Sequence, residues 1–391
     1  MFRTNPNLRS IAVLISIVAV CLVGAGFLRV YLCRPVPTGG KPPRVTLAWS
    51  IPTAGVRQIA FSSSGDCIST ISKDGEVICY DSTGTKLYST IVPGADRAIA
   101  CSDGDYALAY SHKDPANTTL TFLDSAGRVR WTMDVSGAVW SADVGPCDSG
   151  ACFIVGTGNR YVYAVTIGER SKRYRRWRAP GAVCSVSVDP ESESVTYGVW
   201  QSSAICRTDL RGHRQWQTEA DDASLHYLQP LGGSENMLVR SVPNRSASQA
   251  EAGLLETDGT LLSFCPIEAS KSARALPSPD GVFVCVGYSK SIQHSDSSVP
   301  ERHAALYDYT GRKLWDKGSM LMQITPILVA RGGYVLADSG ENTLFVINPS
   351  GELKQAGKLP AAMLSSTTSR DGSRALVTCA DGRTYLLRIS Q

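Results

Sequence analysis

The 391-residue sequence has no Cys-x-x-Cys pair, no Gly-x-Ser-x-Gly run and no net charge beyond +4. The first absence removes the usual zinc-finger and dithiol spacings. The second removes the strand–turn–helix nucleophile elbow of α/β-hydrolases. The small net charge speaks against a strongly polar partner, and no nucleic acid is expected. Histidine is sparse: His112, His213, His226, His294 and His303 are scattered, and none stands at metal-ligand spacing from a cysteine or another histidine. The Asp-Gly turns at residues 278–281, 369–372 and 380–382 lack the further spaced acids of a calcium loop. No catalytic, cofactor-binding or metal-ligating residue is therefore expected, and no cofactor.

What the chain does contain is a repeat. Asp81-Ser-Thr-Gly84-Thr-Lys-Leu-Tyr88 returns as Asp124-Ser-Ala-Gly127-Arg-Val-Arg-Trp131. It returns again as Asp209-Leu-Arg-Gly212-His-Arg-Gln-Trp216 and Asp308-Tyr-Thr-Gly311-Arg-Lys-Leu-Trp315. Weaker copies lie at Glu256–Gly259 and Asn348–Gly351. The acid can accept turn amide hydrogens, the glycine supplies positive φ, and the aromatic is placed to pack on the returning strand. β-rich runs precede each acid, and two further strands follow in each period. Four strands per repeat at this spacing describe a blade of a β-propeller. The expected fold is all-β: eight four-stranded antiparallel blades, with seven as the alternative. The chain ends on a third strand, Thr384–Ser390, so residues 45–50, carrying Trp49, are expected to supply the missing fourth and close the ring. Ser289 to Pro300 reads as a loop insertion.

The repeat resembles the PQQ-like β-propeller repeat, whose members include quinoprotein dehydrogenases and BamB-like outer-membrane assembly lipoproteins. The resemblance spans most of residues 45–391, with one residue fewer between Asp and Gly than the family turn usually has. It implies either a quinone enzyme or a binding propeller. A quinone site of the family type would need a Glu/Asn/Asp calcium set and commonly a vicinal Cys-Cys, and neither maps onto this chain. A PQQ-dependent dehydrogenase is thus the runner-up, a ligand-sensing propeller a further alternative, and a non-catalytic scaffold for protein interaction or envelope assembly the main reading.

Four segments are expected: a tail (1–9), a membrane anchor or cleaved signal segment (10–32), a Pro/Gly linker (33–44) and the propeller (45–391). Residues 10–28 carry no charge and are long enough to span a bilayer core. The chain is accordingly expected at a cell membrane, single-pass, with the propeller on the extracytoplasmic side and end loops at 112–117, 242–251 and 289–302 meeting a protein partner. Ten of the twelve cysteines lie beyond the linker, most inside apolar strand runs where they pack as small hydrophobes. Cys147 and Cys152 flank a tight turn and could bridge it in an oxidising compartment. One run is strongly basic: Arg170, Lys172, Arg173, Arg175, Arg176 and Arg178, interleaved with Tyr174 and Trp177. It reads as the turn into an outer blade strand, where cations block edge pairing, or as a contact for an anionic membrane surface.

Overall fold

The structure is a computed structural model that describes residues 42–391, apart from positions 54, 63, 102–103, 112–115, 148–149, 170, 190–192, 201, 203, 220–222, 231–236, 244–248, 269–273, 295–296, 320–321 and 391. The tail, the expected anchor and the linker through residue 41 lie outside these residues. No helix among the described residues is long and apolar enough to cross a membrane.

The strands form eight four-stranded antiparallel sheets. In chain order, the first holds Val56–Phe61, Cys67–Ser72, Glu76–Asp81 and Lys86–Ile91. The second holds Arg97–Ala100, Tyr106–Tyr110, Asn117–Asp124 and Val129–Ser136. The third holds Val139–Cys147, Gly150–Thr157, Tyr161–Ile167 and Lys172–Arg178, and the fourth Ala182–Asp189, Ser194–Trp200, Ala204–Asp209 and Arg214–Glu219. The fifth holds Ala223–Pro230, Met237–Pro243, Gln249–Leu255 and Leu261–Glu268. The sixth holds Arg274–Pro277, Phe283–His294, Ser297–Asp308 and Lys313–Lys317, and the seventh Thr325–Val329, Val335–Asp338, Thr343–Ile347 and Leu353–Lys358. The eighth joins Met363–Thr368, Arg374–Cys379 and Arg383–Ser390 to Arg44–Pro52 from the other end of the described chain.

Burial follows strand position. The second and third strands are covered on both faces by neighbouring sheets, so they read as continuous apolar runs such as Ala151-Cys-Phe-Ile-Val155, all buried. Phe153 packs edge-on against Phe122 of the second sheet, ring centres 5.4 Å apart. Truncating such a ring to alanine costs roughly 3–5 kcal/mol. The fourth strands are mostly exposed and polar. The first strands meet one another at the centre. Ala98 N donates to Gln58 Oε1, Val186 N to Ser141 Oγ and Leu228 N to Ser185 Oγ, each linking consecutive sheets. Across the middle, Arg370 of the eighth sheet donates from Nη2 to both carboxylate oxygens of Asp143 in the third, at 3.1 and 2.9 Å.

The closing strand lies where Trp49 placed it. Arg44–Pro52 pairs antiparallel with the C-terminal strand from Arg44 opposite Ser390 to Pro52 opposite Arg383, with a bulge between Leu47 and Trp49. Side chains reinforce the seam: Arg383 Nη2 donates to Ser50 Oγ at 2.8 Å, and Thr53 N donates to Gly382 O at 2.7 Å.

The recurring turns do more than reverse the chain. Asp81 Oδ1 accepts from Thr83 N and Thr85 N at 2.8 and 2.9 Å. Asp124 Oδ1 does the same with Ala126 and Arg128, Asp209 Oδ1 with Arg211 and His213, and Asp308 Oδ1 with Thr310 and Arg312. The turn glycines Gly84, Gly127, Gly212, Gly259 and Gly351 each receive an aromatic side chain from the preceding sheet. A Cβ on Gly84 would lie 2.8 Å from the Trp49 ring, one on Gly127 2.7 Å from Tyr88, and one on Gly259 2.8 Å from Trp216. Gly84 also holds φ +85°, so two independent constraints require glycine there. Trp49, Trp216 and Trp315 each donate their indole N–H to a carbonyl of the next turn: Ser82, Thr257 and Asn348 respectively.

Two expectations are corrected. Ser289 to Pro300 does not form a loop. The second and third strands of the sixth sheet pair continuously from Phe283 opposite Asp308 to His294 opposite Ser297, so the backbone ladder runs through the serine-rich segment. No disulfide joins Cys147 to Cys152. Cys152 sits opposite Gly145 and Cys147 opposite Gly150, so the two are offset along the ladder rather than paired directly. Burial pushes the Cys152 thiol up to about 12.

Two outcomes follow. A chain beginning at Lys41 retains the compact unit Lys41–Gln391 and melts as the intact propeller does. One beginning at Thr53 exposes the edge of Arg383–Ser390 and melts at least about 10 °C lower or associates, as read by calorimetry and size-exclusion chromatography. The second outcome concerns acid. Burial alone would raise Asp81, Asp124 and Asp209, but the turn hydrogen bonds outweigh it and hold all three below the usual carboxylate range. A lowered folded value contributes stability that is complete above the unfolded pKa of about 3.9 and lost as pH falls through the folded one. The Asp81/Asp124/Asp209→Asn triple variant therefore loses less stability than the parent between about pH 4.5 and 2.5. An equal loss in both proteins contradicts this.

Candidate functional site

The sixth sheet departs from the regular plan. Its first strand ends its pairing at Arg274 opposite Gly287, and its fourth at Lys317 opposite Ala304. From Tyr288 opposite His303 outward, the middle hairpin continues without a flanking strand in its sheet. Seven residues per arm at about 3.3 Å each project about 20 Å beyond the four-stranded part.

A polar cluster braces the base of this projection. His303 stacks on Tyr288 with ring centres 5.3 Å apart. Its Nε2 lies 3.1 Å from Glu301 Oε2, and its Nδ1 lies 3.3 Å from Asp316 Oδ1. Tyr288 donates its hydroxyl to Asp316 Oδ2 at 2.6 Å, and Lys313 Nζ lies 3.4 Å from the same oxygen. The His303 side chain is only 11% exposed, and both ring nitrogens are engaged. The ring thus ties the third strand to the fourth. Sequence spacing could not reveal this set, because Tyr288, His303 and Asp316 meet only through strand register. The signal that was available is the local Glu301-x-His303 alternation, which places both side chains on one face of a strand.

Beside the cluster lies a cavity of about 300 Å³ between the sixth and seventh sheets, lined by Arg274, Tyr288, Arg302, His303, Thr325 and Pro326 among others. Among the described residues, no group of three or more His, Cys, Asp or Glu side chains could hold a metal ion.

The basic run divides between roles. Arg170 lies outside the described residues. Lys172–Arg178 is the outer strand of the third sheet, exposed throughout except at half-buried Trp177. Lys172 Nζ sits 4.1 Å from the Trp131 ring centre in the second sheet, and Arg176 lies over Tyr161 at 5.4 Å. Trp131 itself stacks on Phe122 at 5.1 Å. Trp177, which lies inside the basic run, performs the structural task of the repeat aromatics: a Cβ on Gly212 would lie 2.8 Å from its ring. It precedes Gly212 by the same 35 residues that separate Trp49 from Gly84, and that spacing is the signal that identifies it. His213 is exposed, its Nδ1 2.9 Å from Asp209 Oδ2. Cys79, Cys101, Cys206, Cys285 and Cys379 are buried, while half-buried Cys184 donates its thiol to Gly198 O.

Eight radially repeated four-stranded sheets, first strands innermost and one sheet completed from both ends of the described chain, define a β-propeller. No family model and no curated protein matches the sequence. Among solved structures, the chain is similar to BamB from Moraxella catarrhalis, with a TM-score of 0.57 and 16% identity over 88% of this chain and 97% of that one. It is similar to the Dos1 propeller, with a TM-score of 0.61 and 12% identity over 89% and 94% of the two chains. It is also similar to a chain of Kuenenia stuttgartiensis hydrazine synthase, with a TM-score of 0.51 and 12% identity over 76% and 96%. At these identities the likeness is one of fold.

Proposed function

We propose that the chain is an eight-bladed protein-interaction propeller, non-catalytic, tethered to a membrane by residues 10–28 and facing the extracytoplasmic side. The observation that carries this reading is the hairpin of the sixth sheet. It extends past its own sheet, offers two strand edges that its sheet does not pair, and stands on a braced polar base. Unpaired strand edges take up extended segments of other chains by strand addition. The polar bracing makes the base rigid, so the projection is presented in one direction and less ordering entropy is lost on binding. The propeller likeness to BamB and Dos1 fits an interaction scaffold. The outer strand Lys172–Arg178 suits the membrane side of the same reading: its cations are exposed and have no carboxylate partner among the described residues.

The test uses a photo-crosslinker at Ser291 in the full chain, in its native cells. A companion variant replaces residues 289–302 with Asn-Gly, a two-residue turn that closes Tyr288 onto His303. The parent is expected to give the same crosslinked partner in every replicate. The trimmed chain, carrying the crosslinker at Ser319, is expected to remain folded and no longer co-purify with that partner. Undiminished co-purification after trimming, or no reproducible adduct from the parent, contradicts the reading. A membrane-impermeant thiol reagent acting on Ser291→Cys in intact cells reads the side on which the propeller stands.

A further inference from the structure

The cavity between the sixth and seventh sheets has a lining that neither the hairpin nor the repeat explains. Two guanidinium side chains, Arg274 and Arg302, share it with Thr325 and with the apolar Ile324 and Pro326. Arg274 leaves the first strand of the sixth sheet and donates from Nη1 to Ser366 Oγ at 2.8 Å. Among the described residues that is its one hydrogen bond, and no carboxylate lies within ion-pair distance of it. Arg274 is half-buried, and burial pushes the guanidinium pKa down. A half-buried cation with only a neutral hydroxyl for company is costly, and an anion is the partner that would offset that cost.

Two of the three nearby acids are committed elsewhere. Glu301 is held by His303, and Asp316 by His303, Tyr288 and Lys313. Asp338 Oδ2 accepts from Gly340 N, while its buried Oδ1 has no hydrogen-bond partner; burial pushes this carboxyl up, against the pull of Arg302. A second polar group in the same wall also lacks a partner: the buried Thr325 Oγ1 makes no hydrogen bond. Buried polar groups are rarely left in this condition unless something unseen satisfies them.

We propose that this cavity binds a carboxylate-bearing ligand, its planar anion on the Arg274 fork and its apolar body against Ile324 and Pro326. Arginine's parallel donors match a carboxylate edge, and the apolar wall suits a body of about ring size. A single negative charge fits better than a phosphate dianion. Glu301, Asp316 and Asp338 all stand close by, and a second charge would meet their repulsion without a second desolvated cation, since Arg302 is exposed. The carboxylate can belong to a free small acid or to the C-terminus of a docked chain. The proposal rests on the cavity chemistry and stands or falls independently of the hairpin.

Calorimetric titration of the full chain tests it with four probes: benzoate, N-acetyl-Gly-Phe with a free C-terminus, the same peptide amidated, and inorganic phosphate. At least one of the two carboxylates is expected to bind saturably at one site, and the amide and phosphate at least about tenfold more weakly. Arg274→Met is expected to lower carboxylate affinity at least about tenfold. Arg274→Lys keeps the charge while removing the fork, so it tests the same contact if the methionine variant does not fold, and it too is expected to bind more weakly. Tighter binding of the peptide acid than of benzoate assigns the anion to a docked chain, and the reverse order assigns it to a small acid. No saturable carboxylate binding below about 10 mM, or affinity unchanged in the folded Arg274 variants, overturns the proposal.

Discussion

When Trp49 lies against Gly84, the ring approaches so closely that a single added carbon would fall 2.8 Å from it. The indole N–H meanwhile reaches Ser82 O, inside the turn of the neighbouring sheet. The same arrangement joins Tyr88 to Gly127, Trp177 to Gly212, Trp216 to Gly259 and Trp315 to Gly351. In each, the aromatic comes from one sheet's fourth strand and the glycine from the next sheet's third-to-fourth turn. Fourth strands bury little of their own surface, so without this contact the outer edge of each sheet would be held to its neighbour by little apolar area. An aromatic ring brings a large buried surface to that edge. The glycine permits the approach, and the aspartate fixes the turn that presents the glycine. The second-to-third junction is a variant: Lys172 covers Trp131, and the third sheet has no Asp-x-x-Gly turn.

This latch explains which parts of the chain could be read from sequence. The Asp-x-x-Gly turns are local: the acid bonds amides two and four residues on, so residue type and spacing carry the whole geometry. The closing strand was legible because the last sheet lacked a fourth strand and residues 45–50 carried a tryptophan where the repeat places its aromatic. Trp177 escaped because five cations surround it, and the run reads as a charged patch before it reads as a latch. The sixth-sheet hairpin escaped because its serines weaken the apolar alternation by which strands are recognised, while the backbone ladder that holds it needs no apolar side chain.

The polar site was not legible. Arg274, Tyr288, Arg302, His303 and Thr325 come from four strands of two sheets, and no spacing along the chain announces that they share a cavity. The hydrogen bond from Arg274 to Ser366, which passes from the sixth sheet to the eighth, is invisible without the fold. The regular repeat thus builds a rigid frame from local rules. The irregular sixth sheet, where the first and fourth strands stop short of the hairpin, is where surface for recognition is gained.

The central claim is that the ring is held at its rim by mutual fit of aromatic and glycine across five of its junctions. A double-mutant cycle at the seam tests it most directly, using Trp49→Ala, Gly84→Ala and the two together, with stability read by denaturant unfolding. The methyl group that Gly84→Ala adds collides with the ring when Trp49 is present and is spared that collision when it is absent, so the two substitutions should couple. The account predicts that Gly84→Ala costs less in the Trp49→Ala background, by about 1 kcal/mol or more. Additivity of the two losses to within about 0.5 kcal/mol would contradict it.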